Sequence, residues 1–117
     1  MLPAAHRLHR AADFTEVVRR GRRASRPLLT VHLLAGGEPG TPARAGLVVS
    51  KAVGGSVVRH RTARRLRHLL LPRLPELADG TRLVVRASSG AGTAPSSALG
   101  VDLDGALAAA ARPRTPR

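Results

Sequence analysis

Apolar and basic positions recur with helical spacing between Val57 and Leu71. At about 100° per residue, this spacing gathers the apolar positions on one side of a helix and the basic positions on the other. The apolar side comprises Val58, Thr62, Leu66, Leu69 and Leu70, and the basic side comprises His60, Arg61, Arg64, Arg65, Arg67 and His68. Arg59 falls near the apolar edge, from which a long side chain can extend outward. The pattern predicts a helix that packs on a core with one face and presents cations on the other.

Capping and branching patterns predict the other elements. Ser56 is the expected N-cap of the basic helix. Asp13 is the expected N-cap of a short helix over 13–20, since Glu16 follows it at the capping-box spacing. Branched residues predict strands over 26–34, 43–53 and 81–87, and leucines at 99, 103 and 107 predict a last helix over 97–111. The first two strands flank a glycine- and proline-rich segment, and they are expected to form a β-hairpin with a long loop.

These elements follow each other in the order α-β-β-α-β-α, which predicts an α+β two-layer sandwich. The helices are expected to cover one face of a small sheet and to leave the other face, or its flank, free. A chain of 117 residues is large enough for one core, so we expect a single domain over residues 1–111. The remaining residues, 112–117, are basic and predict a disordered tail.

The charge of the chain is large, positive and unevenly distributed. Twenty basic residues stand against seven acidic ones, for a formal net charge of +13, and no acidic residue lies between Glu38 and Glu76. Because all the cations except Lys51 are arginine, codon usage in a GC-rich genome can explain the residue type, although it explains neither the excess nor the gap. The distribution favours a polyanionic partner, nucleic acid above all.

The basic face of the helix has a simpler interpretation as a solvated surface. Solvated helices usually interleave acidic and basic residues at i,i+4 spacing, whereas this helix stacks like charges, which a bound phosphate backbone would neutralise. No asparagine or glutamine, the usual readers of base edges, lies between 57 and 71. The helix is therefore expected to bind folded RNA by backbone and shape rather than to read the DNA major groove.

Three weaker signals in the sequence can each be interpreted in two ways. Gly54, Gly55 and Ser56 can hold a phosphate at a helix N-terminus or form an ordinary strand-to-helix turn. Lys51 can contact a phosphate or lie at a solvated strand edge. Phe14, the single aromatic residue of the chain, can stack on a base or belong to the core.

The sequence lacks the residue groups that most catalytic and metal centres need. It has no cysteine, which excludes disulfides, thiolate metal sites and a cysteine nucleophile. Its five histidines form no zinc-type pattern, and Asp102 and Asp104 are expected to point to different faces. No catalytic residue and no metal ligand is therefore predicted. No apolar run approaches the roughly 20 residues that cross a bilayer, so a soluble, cytoplasmic protein is expected.

The chain resembles the protein subunit of bacterial ribonuclease P in the run SKAVGGSVVRHRTARRLR, from Ser50 to Arg67. That family has a strand ending in S-K-K/A-V-G-N, followed by A-V-x-R-N-R-x-K-R-x-x-R on a helix. The matching positions are Ser50, Lys51, Val53, Gly54, Val57, Arg59, Arg61, Arg64, Arg65 and Arg67. The segment 6–23 is similar to the family's opening through Arg7, Leu8, Asp13, Phe14, Val17 and Gly21.

The resemblance implies a small mixed sheet in which the basic helix makes a left-handed crossover between parallel strands. It also implies a catalytic RNA as partner, with which the protein removes the 5′ leader of precursor tRNA by Mg²⁺-dependent phosphodiester hydrolysis. The Mg²⁺ would be held by the RNA subunit and the substrate, and neither a membrane nor a further protein partner would be required. The implied RNA-subunit contacts are Arg59, His60, Arg61, Arg64, Arg65 and Arg67, and the implied leader contacts are Phe14, Lys51 and Arg86.

Several positions depart from the family pattern, and two other functions stay open. His60 and Gly55 replace asparagines, Ala63 a lysine, Val18 a frequent phenylalanine, and Thr30 or Val31 a usual aromatic residue. Leader stacking is therefore expected to depend on Phe14 and on charge. A structural RNA-binding protein, such as a small ribosomal protein, would suit a basic helix equally well, and a stand-alone nuclease would have to use Asp102 or Asp104.

Overall fold

The computed structural model describes residues 4–111 and contains three helices and four strands within them. In chain order these are α1 (Ala11–Arg20), β1 (Arg22–Ser25), β2 (Leu29–Leu34), β3 (Arg44–Val48), α2 (Ser56–Leu70), β4 (Arg82–Ala87) and α3 (Ser96–Ala111). The bounds of α2, α3 and β4 agree with the predicted ones within one residue, the usual uncertainty of an element end. The tail predicted over 112–117 lies outside the described residues.

The four strands form one mixed sheet in the order β1-β2-β4-β3. β2 runs antiparallel to both β1 and β4, whereas β3 and β4 are parallel. Parallel neighbours need a long crossover, and α2 provides it between β3 and β4. The α+β class with a mixed sheet is thereby confirmed.

The predicted hairpin between the strands over 26–34 and 43–53 is wrong, because β4 lies between β2 and β3. Leu83, Val84 and Val85 are fully buried, so β4 has apolar contacts on both faces, which is typical of a central strand. The hairpin of this fold is instead β1–β2, closed by a short connection over 26–28. β1 was not predicted at all, since its sequence, RRAS, carries no apolar alternation.

The prediction that the helices share one face of the sheet is also wrong. Alternate residues of β4 separate two cores: Leu83 and Val85 pack in the large core with the leucines of α2 and α3, whereas Val84 packs in a small core with Val17 of α1. α1 therefore lies on the opposite face from α2 and α3. Two residues of the large core, Leu99 and Leu103, are fully buried, as the period of the last helix predicts.

Asp13 is not the N-cap of α1, because the helix begins at Ala11 and its N-cap, Arg10, makes no side-chain capping bond. Asp13 and Glu16 instead bind the guanidinium of Arg82 at the start of β4, at 3.2 and 2.6 Å. The hydrogen bond from Arg82 lowers the pKa of Glu16 below its ordinary value. The acidic residues of α1 thus attach the helix to the sheet rather than cap it.

The contacts of α1 show how it crosses the sheet. The ring of Phe14 lies over Gly46 of β3 so closely that a side chain at Gly46 would clash with it. Val17 packs with Val84 of β4, and Gly21 at the helix end contacts the backbone of Leu33 in β2. The helix therefore runs across the strands, from β3 towards β2, and covers one half of this face.

Candidate RNA-binding surfaces

The apolar side of α2 lies where the sequence predicts it. Thr62, Leu66 and Leu70 are fully buried, and Val58 and Leu69 are partly buried against the large core. The buried hydroxyl of Thr62 donates a 2.8 Å hydrogen bond to the carbonyl of Val58, so this polar residue is satisfied inside the helix. One half of α2 thus anchors the helix to the fold.

The basic side of α2 faces solvent. His60, Arg61, Arg64 and His68 are exposed, whereas Arg59, Arg65 and Arg67 are half-buried. Nη1 of Arg65 donates to the carbonyl of Ala94 at 3.3 Å, and this bond attaches its guanidinium group to the loop before α3. Nε of Arg59 is buried and has no hydrogen-bond partner, in keeping with its predicted place near the apolar edge.

No carboxylate neutralises this surface within residues 4–111. The ion pairs there involve Arg20, Arg73 and Arg82, and none involves an arginine of α2. Because like charges on neighbouring helical turns repel each other, the helix carries an electrostatic cost that an external polyanion would relieve. The simpler interpretation as a solvated surface predicts interleaved acids, and α2 has none.

A surface groove accompanies the cations. A cavity of about 570 Å³ is lined by Ser56, Val57, His60, Arg61, Arg64 and Arg67, and a second of about 340 Å³ lies between α2 and β3, beside Arg59. The first groove is open to solvent along the outer side of the helix, and a phosphate backbone laid along it would meet two exposed guanidinium groups, those of Arg61 and Arg64. Guanidinium groups bind phosphate oxygens through paired hydrogen bonds.

The turn before α2 has the geometry of an ordinary strand-to-helix turn. Gly54 has a φ of 153°, which side chains rarely adopt, and a side chain there would also clash with Val58. Gly55 is the N-cap and Ser56 the first helical residue, so the predicted cap is displaced by one position. Gly54 is therefore explained by the tight strand-to-helix turn, whereas Gly55 has an extended conformation that any residue adopts and open space beside it.

The three predicted leader residues are only partly brought together. Phe14 is half-buried and packs with Val18 and Val48, so its ring belongs to the small core and also borders the uncovered half of the sheet. Arg86 is exposed and lies on the same face, because it pairs in register with Val48. Lys51 is exposed at the start of a short turn beyond β3, and not at the strand end as predicted.

This uncovered surface extends across all four strands, as the pairing of their residues shows. Val48 of β3 pairs with Arg86 of β4, Arg86 with Thr30 of β2, and Thr30 with Ser25 of β1. Residues that pair in register share a face, so these four side chains form one row, here called the floor row. Phe14 borders its β3 end.

Sequence reasoning missed two residues beside the floor row, Arg23 and His32, which pair with each other. His32 is 7% exposed, and its Nδ1 has no hydrogen-bond partner. Burial lowers the pKa of His32, and the nearby charges of Arg86 and Arg23 lower it further. The signal was present in β2, where Thr30 and His32 alternate with apolar residues and so mark a polar face.

The two aspartates of α3 have structural partners. Oδ2 of Asp102 accepts a 2.9 Å hydrogen bond from the backbone N–H of Leu28, and Asp104 forms a two-bond ion pair with Arg73. Within residues 4–111, no three His, Asp or Glu side chains are grouped closely enough to hold a metal ion. Asp102 and Asp104, which a stand-alone nuclease would have to use, are thus both engaged in contacts within the fold.

A membrane-spanning helix is likewise not found among the described residues, since none of their helices is both long and apolar enough to cross a bilayer.

Comparisons with known proteins agree with the fold and the basic helix. The family model described as Ribonuclease P matches residues 2–111. The protein named "Ribonuclease P protein component" from Streptomyces bikiniensis is 56% identical, over 92% of this chain and 93% of its own length. The protein of the same name from Salinispora tropica is 48% identical, over 100% of this chain and 98% of its own.

Solved structures give the same result for the fold. An RNase P protein from Staphylococcus aureus superposes with a TM-score of 0.78 at 20% identity, covering 91% of this chain and 95% of that one. The RNase P protein from Thermotoga maritima has a TM-score of 0.72 at 18% identity, covering 94% of this chain and 99% of that one. On this evidence of sequence and fold, the chain belongs to the ribonuclease P protein family.

Proposed function

We propose that this chain is the protein subunit of a ribonuclease P ribonucleoprotein, which removes the 5′ leader from precursor tRNA. The observation that carries the proposal is α2, whose five arginines meet no carboxylate within the described residues. Membership of the family supports a role in tRNA 5′ processing in which the RNA performs the chemistry. The partnered aspartates of α3 agree with this division of labour.

The partner of α2 in this proposal is the ribonuclease P RNA. Arg61 and Arg64 are exposed and would bind its phosphates with their whole guanidinium groups, whereas Arg59, Arg65 and Arg67 are half-buried and would offer less of theirs. His60 lies in the same groove and replaces the asparagine of the family pattern. Each neutralised phosphate releases counterions, so the affinity depends strongly on salt.

The leader of precursor tRNA would occupy the uncovered half of the sheet on the α1 side. Phe14 offers a ring edge for one base at the β3 end, and Arg86 offers a charge at the middle of the sheet. Lys51 stands beyond the end of β3 and faces solvent, where it can contact a phosphate between this surface and α2. With one aromatic residue in the chain, binding would depend more on charge than on stacking.

The Mg²⁺ of the reaction would be held by the RNA subunit and the substrate. The described carboxylates do not form a set that could hold it, and three of them already bind arginines. The contribution of the protein would be electrostatic, because the α2 cations offset repulsion between the phosphates of the RNA subunit and those of the substrate. The protein should therefore matter most when Mg²⁺ is scarce.

Reconstitution with the cognate RNA subunit tests the proposal. At low Mg²⁺ the RNA alone should cleave precursor tRNA slowly, and added protein should restore cleavage. The variant Arg61→Ala/Arg64→Ala should restore it poorly at low Mg²⁺ and well at high Mg²⁺. Arg19→Ala/Arg20→Ala removes the same number of exposed arginines from α1, one of which is paired with Glu16, and serves as the control.

Two results would contradict the proposal. If the protein bound RNA but stimulated no cleavage at any Mg²⁺ concentration, a structural RNA-binding role would replace it. If the protein cleaved precursor tRNA without the RNA subunit, the chemistry would belong to the chain itself.

A further inference from the structure

A cavity of about 330 Å³, here called the end cavity, lies at the end of the sheet where β2 ends and β4 begins. Its lining is mostly apolar. Leucines come from β2 and from the turn before β4, and alanines come from that turn and from the last turn of α3 (Leu33, Leu34, Leu77, Ala78 and Ala110). The volume falls within the range of small-molecule sites, about 300–1,000 Å³.

The end cavity is separate from both surfaces assigned to RNA. Among the described residues, none that lines it belongs to α2. Along β2, Leu34 at the cavity is four residues from Thr30 of the floor row, which is about 13 Å at about 3.3 Å per residue. RNA bound to α2 or to the floor row therefore leaves the cavity accessible, so an inference about the cavity does not depend on the proposed function.

Close backbone contacts hold the walls of the end cavity in place. Gly37, after β2, and Gly80, before β4, lie so close that a side chain on either would clash with the backbone of the other. The N–H of Gly80 also donates a 2.7 Å hydrogen bond to the carbonyl of Thr41. On the opposite side, Gly21 lies against the backbone of Leu33. A ligand would therefore enter a preformed site and would not have to order a loop.

Arg22 brings a charge without a partner to the end cavity. It pairs in register with Leu33, whose side chain lies in the large core, and it therefore points to the same face. Arg22 is half-buried, and it forms neither an ion pair nor a side-chain hydrogen bond within residues 4–111. The second arginine in the lining, Arg20, is exposed and already bound to Glu16 at 2.9 Å. A half-buried guanidinium without a partner favours binding of an anion.

Thr81 adds a second, independent polar group. The residue lines the cavity and is 3% exposed, yet its hydroxyl forms no hydrogen bond within the part of the chain that the structure describes. Buried hydroxyls usually have a partner, because burial removes the water that would otherwise bind them. The hydroxyl of Thr81 is thus available to a ligand in the cavity.

We propose that the end cavity binds a small organic anion, a carboxylate with a compact apolar body. Arg22 binds the carboxylate through paired hydrogen bonds, and Thr81 supplies a further polar contact. The apolar body lies against Leu33 and Leu77, where its burial favours binding. A nucleobase fits less well, since the lining has no aromatic ring on which it could stack. A protein partner would need a far larger surface, about 800 Å² on each side.

The competing explanation is that Arg22 stabilises the end of α3. The last turn of that helix carries no cation, and the carbonyls at a helix C-terminus have a partial negative charge. An arginine in this role donates to a carbonyl of the helix, as Arg26 does to Gly105 at 3.1 Å. Arg22 makes no such bond within residues 4–111. If this explanation held, loss of Arg22 would change stability rather than ligand affinity.

Titration of the full-length ¹⁵N-labelled protein with 2-naphthoate tests the proposal through amide chemical shifts. The shifts should concentrate at residues 33–35 and 77–81 and should saturate with a dissociation constant of about 1 mM or below. 2-Naphthalenemethanol has the same apolar body without the carboxylate. It should bind about tenfold more weakly, because it cannot form the paired bonds to Arg22.

Four variants separate charge from shape. Arg22→Gln should weaken binding of 2-naphthoate about tenfold and leave the affinity for the alcohol unchanged. Arg19→Gln is the matched control, because it removes an exposed arginine that does not line the cavity, and it should change neither affinity. Ala78→Phe and Ala35→Phe place a ring in the cavity from two exposed positions, and each should abolish binding of both compounds. The spectrum of each variant shows whether it folds.

Each other outcome counts against the proposal. If Arg19→Gln weakened binding as much as Arg22→Gln, or if the shifts concentrated on α2, 2-naphthoate would be a counterion of the basic surface. Equal affinities for 2-naphthoate and the alcohol would show that the cavity does not select an anion. If Arg22→Gln lowered the free energy of unfolding but not the affinity, Arg22 would serve α3. Binding that survived both phenylalanine variants would place the ligand outside the cavity.

Discussion

α2 and α3 are helices of nearly equal length, 15 and 16 residues, that pack on the same face of the sheet. They differ in whether the protein itself supplies partners for their charged side chains. α2 carries five arginines and no acid, and none of its arginines has a carboxylate partner among the described residues. α3 carries no cation, and both of its aspartates are bound by groups of the protein, Asp102 by Leu28 and Asp104 by Arg73.

The buried sides of the two helices do not explain this difference. Both are anchored by leucines, such as Leu66 in α2 and Leu103 in α3, each fully buried in the same core. The contrast lies on the outward sides alone. The comparison indicates that a charged side chain with a partner inside the protein stabilises the fold, whereas one without such a partner is available to bind a ligand. Three predictions test this contrast.

The largest effect is expected from the buried leucines. Leu66→Ala and Leu103→Ala should each lower the free energy of unfolding by about 2–5 kcal/mol, because each leaves a cavity in the shared core. Denaturant unfolding followed by circular dichroism measures it. The controls are Val57→Ala and Val101→Ala, since these valines are 75% and 71% exposed, and they should change stability by no more than about 0.5 kcal/mol. Similar losses in both pairs would mean that the outward sides also support the fold.

The second prediction concerns affinity rather than stability. Arg61→Ala/Arg64→Ala should weaken binding to the RNA subunit and make the slope of log affinity against log salt shallower by about two. The unfolding free energy should hardly change, because both side chains are exposed and neither forms an ion pair. A filter-binding series over salt concentration measures the slope.

Arg73→Ala is the control for that series. It also removes one arginine near α2, but this arginine is bound to Asp104 and to the carbonyl of Leu69. It should therefore alter stability more than RNA affinity. If Arg73→Ala weakened RNA binding as much as loss of Arg61 and Arg64, internal pairing would not distinguish structural from functional cations.

The smallest effect is expected from the ion pair that joins α3 to the turn after α2. Asp104→Asn should lower the free energy of unfolding at neutral pH by at most about 1 kcal/mol, because Asp104 is largely exposed. The hydrogen bond from Arg73 lowers the pKa of Asp104 below its ordinary value of 3.8. A carboxyl whose folded-state pKa is lowered stabilises the protein above its unfolded-state pKa, and this contribution is lost as the pH falls through the folded-state pKa.

The difference in stability between wild type and Asp104→Asn should therefore shrink as the solution is acidified from neutral pH to below the ordinary pKa of the carboxyl. Urea unfolding at a series of pH values measures it. A constant difference between wild type and Asp104→Asn over that range would show that Arg73 does not favour the ionised form.

Local patterns predicted the helices well and the sheet poorly. The faces of α2 follow from a period that spans only a few residues, so Thr62, Leu66 and Leu70 could be assigned to the core directly. β1 could not be found in this way, because its four residues have one apolar side chain of small size. Its pairing with β2 supplies the stabilisation that its own sequence lacks.

Strand order was the second limit. The segments of β2 and β3 are consecutive and apolar, which favours pairing them, but β4, with three successive fully buried residues, lies between them. A short stretch of sequence cannot show which strand order is more stable, because that depends on how much apolar surface each order buries. The same limit concealed the floor row, since register across four strands brings Ser25, Thr30, Val48 and Arg86 together.

The sequence by itself determined the excess of positive charge, the two-sided character of α2 and the family to which the chain is similar, because all three depend on residue identity at short spacing. Tertiary structure decided which cations stay free. Arg73 and Arg82 bind carboxylates from positions 31 and 69 residues away, whereas Arg61 has no carboxylate partner among the described residues. Only folding brings such distant groups within hydrogen-bond distance, so only the folded chain separates the arginines that stabilise it from those that remain for RNA.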